Sequence, residues 1–146
     1  MQLSNTLTLA EATFSETAVR KGIDNSPTAE HLENLKYLGQ YLDKIEAAFP
    51  DLKYNSVYRS KKLNTAIGGS LSSFHSKGCA VDLNTKDKAK LFHWIRANIP
   101  FTELIWEFGD NIQPAWIHYA IAKGRENEKE VLRAVSVNKK TTYQKF

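Results

Sequence analysis

The chain has 146 residues, of which 42% are hydrophobic and 25% are charged, and its formal net charge is +4 at pH 7. These values are ordinary for a soluble globular protein, and we expect a single domain over residues 1–146. No apolar run approaches the ~18 residues of a membrane span. Cys79 is the only cysteine, which excludes an intramolecular disulfide and a cysteine-rich zinc site.

The basic residues gather at three places: 59–62, 86–90 and 139–145. They form no dense stripe with interleaved aromatic residues, so we expect no nucleic-acid partner. A mild positive charge also suits a polyanionic substrate such as a bacterial cell wall. The first residues have neither a basic segment nor a long apolar one, so we expect no signal peptide and synthesis in the cytoplasm.

The first half of the chain is predicted to be helical. Residues 7–21 indicate one or two short helices with N-caps at Thr8 and Ser15. The turn sequence at 22–27 precedes a long helix whose N-cap we expect at Ser26. The apolar stripe of this helix, spaced by three and four, is Leu32, Leu35, Leu38, Leu42, Ile45 and Phe49.

The second half indicates strands around one more helix. Residues 60–73 read as a loop with one helical turn, and Thr85 is expected to cap a helix that Pro100 ends. The predicted strands are 54–59, 79–83, 102–108, 116–122 and 130–137. Short connections between neighbouring strands imply an antiparallel sheet with helices packed on one face, which is the α+β class.

Two polar residues interrupt these apolar strands. Asp82 lies between Val81 and Leu83, and His118 lies within the strand at 116–122. A buried carboxylate is costly unless it is paired, hydrogen-bonded or bound to a metal. Each residue taken alone is more simply explained as structural, but their combination with His75, in a polar loop seven residues before Asp82, favours a shared site.

Two histidines and one aspartate, with a water as the fourth ligand, form a common open zinc site. Such a site needs a further carboxylate as general base. Glu107, on the strand before that of His118, is placed to supply it. The sequence therefore predicts a catalytic metal on the sheet.

The segment 73–82 resembles the S-x-H-x-x-G-x-A-x-D signature of the zinc D-alanyl-D-alanine carboxypeptidase family, which includes bacterial cell-wall carboxypeptidases and phage endolysins. The Tyr58-Arg59-Ser60 stretch and Gly68-Gly69 resemble the segment upstream of that signature. Trp116-Ile117-His118 resembles the motif that supplies the last ligand. The resemblance extends over about residues 7–122.

This resemblance implies a Zn²⁺ site formed by His75, Asp82 and His118. It also implies that Arg59 binds an anionic group of the peptide stem of peptidoglycan, and we expect Trp116 to contribute to substrate binding. For Ser73, a contribution to substrate binding and structural capping of the loop are both open. The implied activity is hydrolysis of an amide bond in that stem, by a D-Ala-D-Ala carboxypeptidase or a stem endopeptidase. We expect a monomer without membrane partners that reaches the wall after release from a bacterial or phage-infected cell.

One position departs from the family pattern. Many members carry an acidic residue three positions before the last histidine, where this chain has Ala115. The base must then come from elsewhere, and Glu107 is the first candidate, with Glu103 second and Asp110 third. The alternative is a non-catalytic module that binds zinc and wall peptide, or a structural component of a phage particle.

Overall fold

A six-stranded sheet forms the centre of the computed structural model, which describes residues 1–146. The helices are α1 (Leu9–Thr13), α2 (Glu16–Lys21), α3 (Ala29–Ala48), α4 (Lys61–Ala66) and α5 (Lys88–Asn98), with a 3₁₀ turn at Phe74–Lys77. The strands are β1 (Lys53–Ser56), β2 (Ala80–Asn84), β3 (Glu103–Glu107), β4 (Trp116–Ala120), β5 (Glu130–Val137) and β6 (Lys140–Lys145). The predicted α+β class is confirmed.

The strand order in the sheet is β1-β2-β4-β3-β5-β6. All neighbours are antiparallel except β3 and β5, which run parallel because β4 and a long connection lie between them in the chain. The sheet is therefore mostly antiparallel, as predicted. Strand β6 was not predicted.

Two predicted helix caps are wrong. The N-cap of α3 is Thr28, not Ser26, because the backbone N–H of Ser26 instead donates to the carboxylate of Asp24 within the preceding turn. The N-cap of α5 is Asp87, not Thr85. The two caps predicted at Thr8 and Ser15 are confirmed.

The first predicted strand, 54–59, is shorter than expected. Strand β1 ends at Ser56 after an irregularity in its pairing with β2. Val57 and Tyr58 follow as buried residues outside the sheet. This departure of the chain places the Val57 carbonyl beside the loop that carries His75.

The two faces of the sheet differ in chemistry. One face carries Leu83, Trp106 and Ile117 into a core completed by α3 and α5. Tyr119 also points into this core and donates its hydroxyl to the Pro100 carbonyl. The opposite face carries the polar residues. None of the helices is both long and apolar enough to cross a bilayer.

Candidate metal centre and substrate groove

His75 is held in place by its backbone neighbours. The Ser73 hydroxyl accepts the backbone N–H of His75 and caps the 3₁₀ turn, and Gly78 ends that turn with a φ of 77°. The His75 side chain is 2% exposed, and its Nδ1 lies 2.7 Å from the Val57 carbonyl oxygen. Since a carbonyl only accepts, Nδ1 carries the proton and Nε2 has a free lone pair. That Nε2 lies 3.2 Å from Oδ1 of Asp82.

Asp82 and His118 lie directly opposite each other on β2 and β4. Nδ1 of His118 is 3.5 Å from the same Oδ1 that faces His75. The next pair on this face is Ala80 and Ala120, whose small side chains leave room above the sheet. One ligand atom from each of His75, Asp82 and His118 lies within 4.8 Å of the others, so the group could hold a metal ion.

Burial and mutual charge perturb the pKa values of these three residues. Burial raises the pKa of Asp82, but the charges and hydrogen bonds of His75 and His118 outweigh it and hold that pKa well below its usual range. Burial alone would lower the pKa of His118, yet its contacts with Asp82 and Glu103 raise it to about 9. For His75 burial dominates and lowers the pKa.

Glu103 and Glu107 lie on β3, on the same face as His118. They flank Ile105, which is the direct partner of His118 in register. Oε1 of Glu103 is 2.8 Å from Nε2 of His118. Glu107 is 8% exposed, and burial raises the pKa of its carboxyl to about 7. The structure thus brings two carboxylates, rather than one, to the cluster.

A groove of about 880 Å³ opens over this face of the sheet. Arg59 lines it with Nη2 4.0 Å from Oδ2 of Asp82, and its buried Nε has no hydrogen-bond partner. Burial lowers the pKa of Arg59. Ser73 and Trp116 also line the groove, and Trp116 packs against Phe108 with ring centroids 5.5 Å apart.

Strands β5 and β6 form a part of the groove that the sequence did not predict. Leu132, Thr141, Tyr143 and Lys145 line the side beyond β3. The turn between these strands has Asn138 and Lys139 at positive φ, which is typical of a tight hairpin turn. Asn138 was the available sequence signal, but the polar strand after it lacks the apolar alternation used to recognise strands.

Asp110 does not reach the site. Its carboxylate accepts the backbone N–H groups of Ile112 and Gln113 in the loop between β3 and β4. Cys79 is buried in the protein, and burial raises the pKa of its thiol. Glu103 and Glu107 are therefore the two acidic candidates that remain for proton transfer.

Comparison with known protein families gives a match to the family described as Peptidase M15 over residues 5–120. The chain belongs to the peptidase M15 family. These peptidases are zinc-dependent metallopeptidases that act in general on peptidoglycan-type substrates. No curated protein matches the chain. The resemblance stated from the signature at residues 73–82 is confirmed.

The residues present fit a zinc ion. Bonds of about 2.0–2.1 Å in a tetrahedral zinc site place neighbouring ligand atoms about 3.3–3.4 Å apart. The distances from Oδ1 of Asp82 to Nε2 of His75 and Nδ1 of His118 are 3.2 Å and 3.5 Å. Two neutral imidazoles and one carboxylate also match the nitrogen and oxygen ligands that zinc accepts. These three residues are therefore a suitable set of ligands for the zinc ion on which M15 peptidases depend.

Proposed function

We propose that the chain is a zinc peptidase that hydrolyses an amide bond in the peptide stem of peptidoglycan, as a D-Ala-D-Ala carboxypeptidase or a stem endopeptidase. The observation that carries the proposal is the meeting of the His75–Asp82–His118 cluster with the buried Glu107 carboxylate in one open groove. A metal site that only stabilises the fold does not need a neighbouring carboxyl group with a raised pKa.

His75, Asp82 and His118 would hold the zinc through Nε2, a carboxylate oxygen and Nδ1, respectively. Zinc bound there supplies Lewis-acid polarisation of the scissile carbonyl and of the attacking water. The contact of His75 with the Val57 carbonyl fixes the ring so that Nε2 points to the cluster. This contact restrains the one ligand candidate that does not lie on a strand.

Glu107 is proposed as the general base. Its carboxylate makes no hydrogen bond that would stabilise the charged form, and burial raises its pKa to about 7. A carboxylate with that pKa accepts a proton from the attacking water near neutral pH and returns it to the leaving amine. Glu107 therefore replaces the acid that the chain lacks at Ala115.

Arg59 is proposed to bind an anionic group of the substrate. Its buried Nε lacks a partner, and its Nη2 is only loosely paired with Asp82 at 4.0 Å. A substrate carboxylate or carbonyl oxygen would satisfy these donors with charge-assisted hydrogen bonds. Trp116 supplies an aromatic wall for the peptide, and the Ser73 hydroxyl lines the groove beside His75.

The direct test is digestion of purified peptidoglycan. Protein loaded with one equivalent of zinc should release new peptide ends, and chelation should stop the release until zinc is restored. A protein that binds zinc and wall peptide but releases nothing would support the alternative, a non-catalytic binding module. Wild-type protein that binds no zinc would overturn the proposed metal site as well.

A further inference from the structure

Both ring nitrogens of His118 face carboxylates. Nδ1 is 3.5 Å from Asp82, and Nε2 is 2.8 Å from Oε1 of Glu103. The second contact is short but bent, since Nε2 has no partner with linear hydrogen-bond geometry. The His118 side chain is 9% exposed, so water offers little alternative to these two partners. A buried N–H without a good acceptor costs free energy. A full hydrogen bond from the Nε2–H of His118 to the Glu103 carboxylate would remove that cost.

The arrangement around His118 matches the one around His75. In each ring, one nitrogen faces Oδ1 of Asp82 and the other faces a protein oxygen away from the cluster. For His75 that outer oxygen is the Val57 carbonyl. For His118 it is the Glu103 carboxylate. Histidine ligands of metals commonly donate their outer N–H to such an oxygen, which fixes the tautomer and the ring orientation.

The position of Glu103 argues against its use as the general base. Glu103 contacts the nitrogen of His118 that faces away from Asp82, so the imidazole ring separates its carboxylate from the cluster of ligand atoms. Glu107 lies on the other side of Ile105 and makes no comparable contact. The two carboxylates of β3 therefore differ in what they contact, although they lie on the same face of the strand.

We propose that Glu103 is a positioning residue that accepts the N–H at Nε2 of His118 and thereby leaves Nδ1 free to bind zinc. In this role Glu103 acts through His118 rather than directly on the reacting atoms. The inference rests on the proposed zinc site, but it requires neither a particular substrate nor cleavage.

Zinc affinity of the full chain, measured by competition with a chromophoric chelator, tests the role. Glu103→Ala should weaken zinc binding by about 10- to 100-fold. Glu103→Gln should stay within a few-fold of wild type, because its amide oxygen still accepts the N–H. The matched control is Glu130→Ala, since Glu130 is the in-register neighbour of Glu103 on β5, lines the same groove and carries the same charge. Its zinc affinity should be unchanged.

Long-range ¹H–¹⁵N NMR of the zinc-loaded protein gives a second readout. His118 should show a protonated Nε2 and a metal-bound Nδ1, and His75 should show the reverse pattern. Thermal unfolding of the metal-free variants checks that they fold.

Three outcomes would overturn the inference: unchanged zinc affinity in a folded Glu103→Ala protein, equal losses in the Ala and Gln variants, or a metal-bound Nε2 in His118. A wild-type protein that binds zinc with the expected histidine pattern but cuts no wall peptide would overturn only the proposed function. A wild-type protein that binds no zinc would overturn both.

Discussion

Asp82 and His118 occupy directly opposed positions on β2 and β4, and Oδ1 of Asp82 lies within 3.5 Å of Nδ1 of His118. This register places two metal-ligand candidates side by side on hydrogen-bonded strands, so little conformational freedom is lost when an ion binds. Only His75 comes from a loop, and its ring is fixed by the Val57 carbonyl. The ligand atoms are therefore already in position in the metal-free protein.

Replacement of Glu107 by Gln should abolish proton transfer without disturbing the metal. The amide has nearly the same shape but cannot accept a proton at neutral pH, so we expect wall hydrolysis to fall by about 10²–10⁴-fold. Zinc content should stay at one per chain. Glu33→Gln, at an exposed position of α3, is the control and should keep wild-type activity. A Glu107→Gln protein with unchanged hydrolysis would assign the base elsewhere.

The metal-free protein should lose stability as the pH rises from about 6.5 to about 9. The pKa of His118 is raised in the folded protein from 6.5 to about 9, so its stabilisation is complete below pH 6.5 and is lost as the folded protein releases the proton. The loss should be on the order of 1–3 kcal/mol in urea unfolding with chelator present. In His118→Gln this dependence should flatten. An equal free energy of unfolding at pH 6.5 and pH 9 in the wild type would contradict the charge arrangement.

The affinity for zinc should change with pH in the opposite direction to the stability of the metal-free protein. Binding requires neutral His118, so the ion must displace a proton, and its apparent affinity should increase with pH up to about 9. Calorimetry in buffers of different ionisation enthalpy measures the protons released on binding. Proton release near zero at pH 7 would show that His118 is already neutral or does not bind the ion.

Arg59→Lys should impair the enzyme although it keeps the positive charge. The lysine ammonium lacks the planar donor fork that matches a carboxylate, and charge-assisted hydrogen bonds contribute about 1.5–3 kcal/mol. We expect kcat/KM to fall by about 10- to 100-fold with zinc content unchanged. Lys62→Ala, an exposed basic neighbour, serves as control. Wild-type kcat/KM in Arg59→Lys would mean that Arg59 acts as a surface charge only.

Gly78→Ala should destabilise the loop that carries His75. Gly78 has a φ of 77°, and an added Cβ would lie 2.5 Å from the His31 carbonyl oxygen. Gly22 has a φ of 64° but open space around it, so Gly22→Ala isolates the backbone strain of about 1–2 kcal/mol. The Tm of Gly78→Ala should fall further than that of Gly22→Ala, and zinc affinity should fall only in Gly78→Ala. Equal Tm losses in the two variants would show that the close approach of the His31 carbonyl to Gly78 does not matter for stability.

The sequence was informative where a residue broke a clear pattern. Asp82 and His118 were found because a charged or polar side chain inside an apolar strand requires a specific partner. Glu107 was expected near His118 because its strand directly precedes that of His118, and the two strands do pair antiparallel. The pairing register of these strands and the distances between the site atoms could not be predicted from the sequence, because they depend on how the strands pair in the folded protein.

The sequence was uninformative where contacts between distant segments decided the outcome. Thr85 was a plausible cap, but its hydroxyl donates to Asp51 from the segment after α3. The polar strand β6 owes its order to pairing with β5 and to Phe146, which packs against Phe92 and Trp106. The contact of Glu103 with Nε2 of His118 also depends on this tertiary arrangement, so the sequence ranked Glu103 only as a second base.

Mass spectrometry of purified wall peptides, incubated with zinc-loaded wild-type protein and with zinc-loaded Glu107→Gln, tests the central claim most directly. We predict that the wild type yields fragments in which one stem amide bond has been hydrolysed, and that Glu107→Gln, with the same zinc content, leaves the peptides intact. Intact peptides in both samples would contradict the assignment of the chain as a stem peptidase.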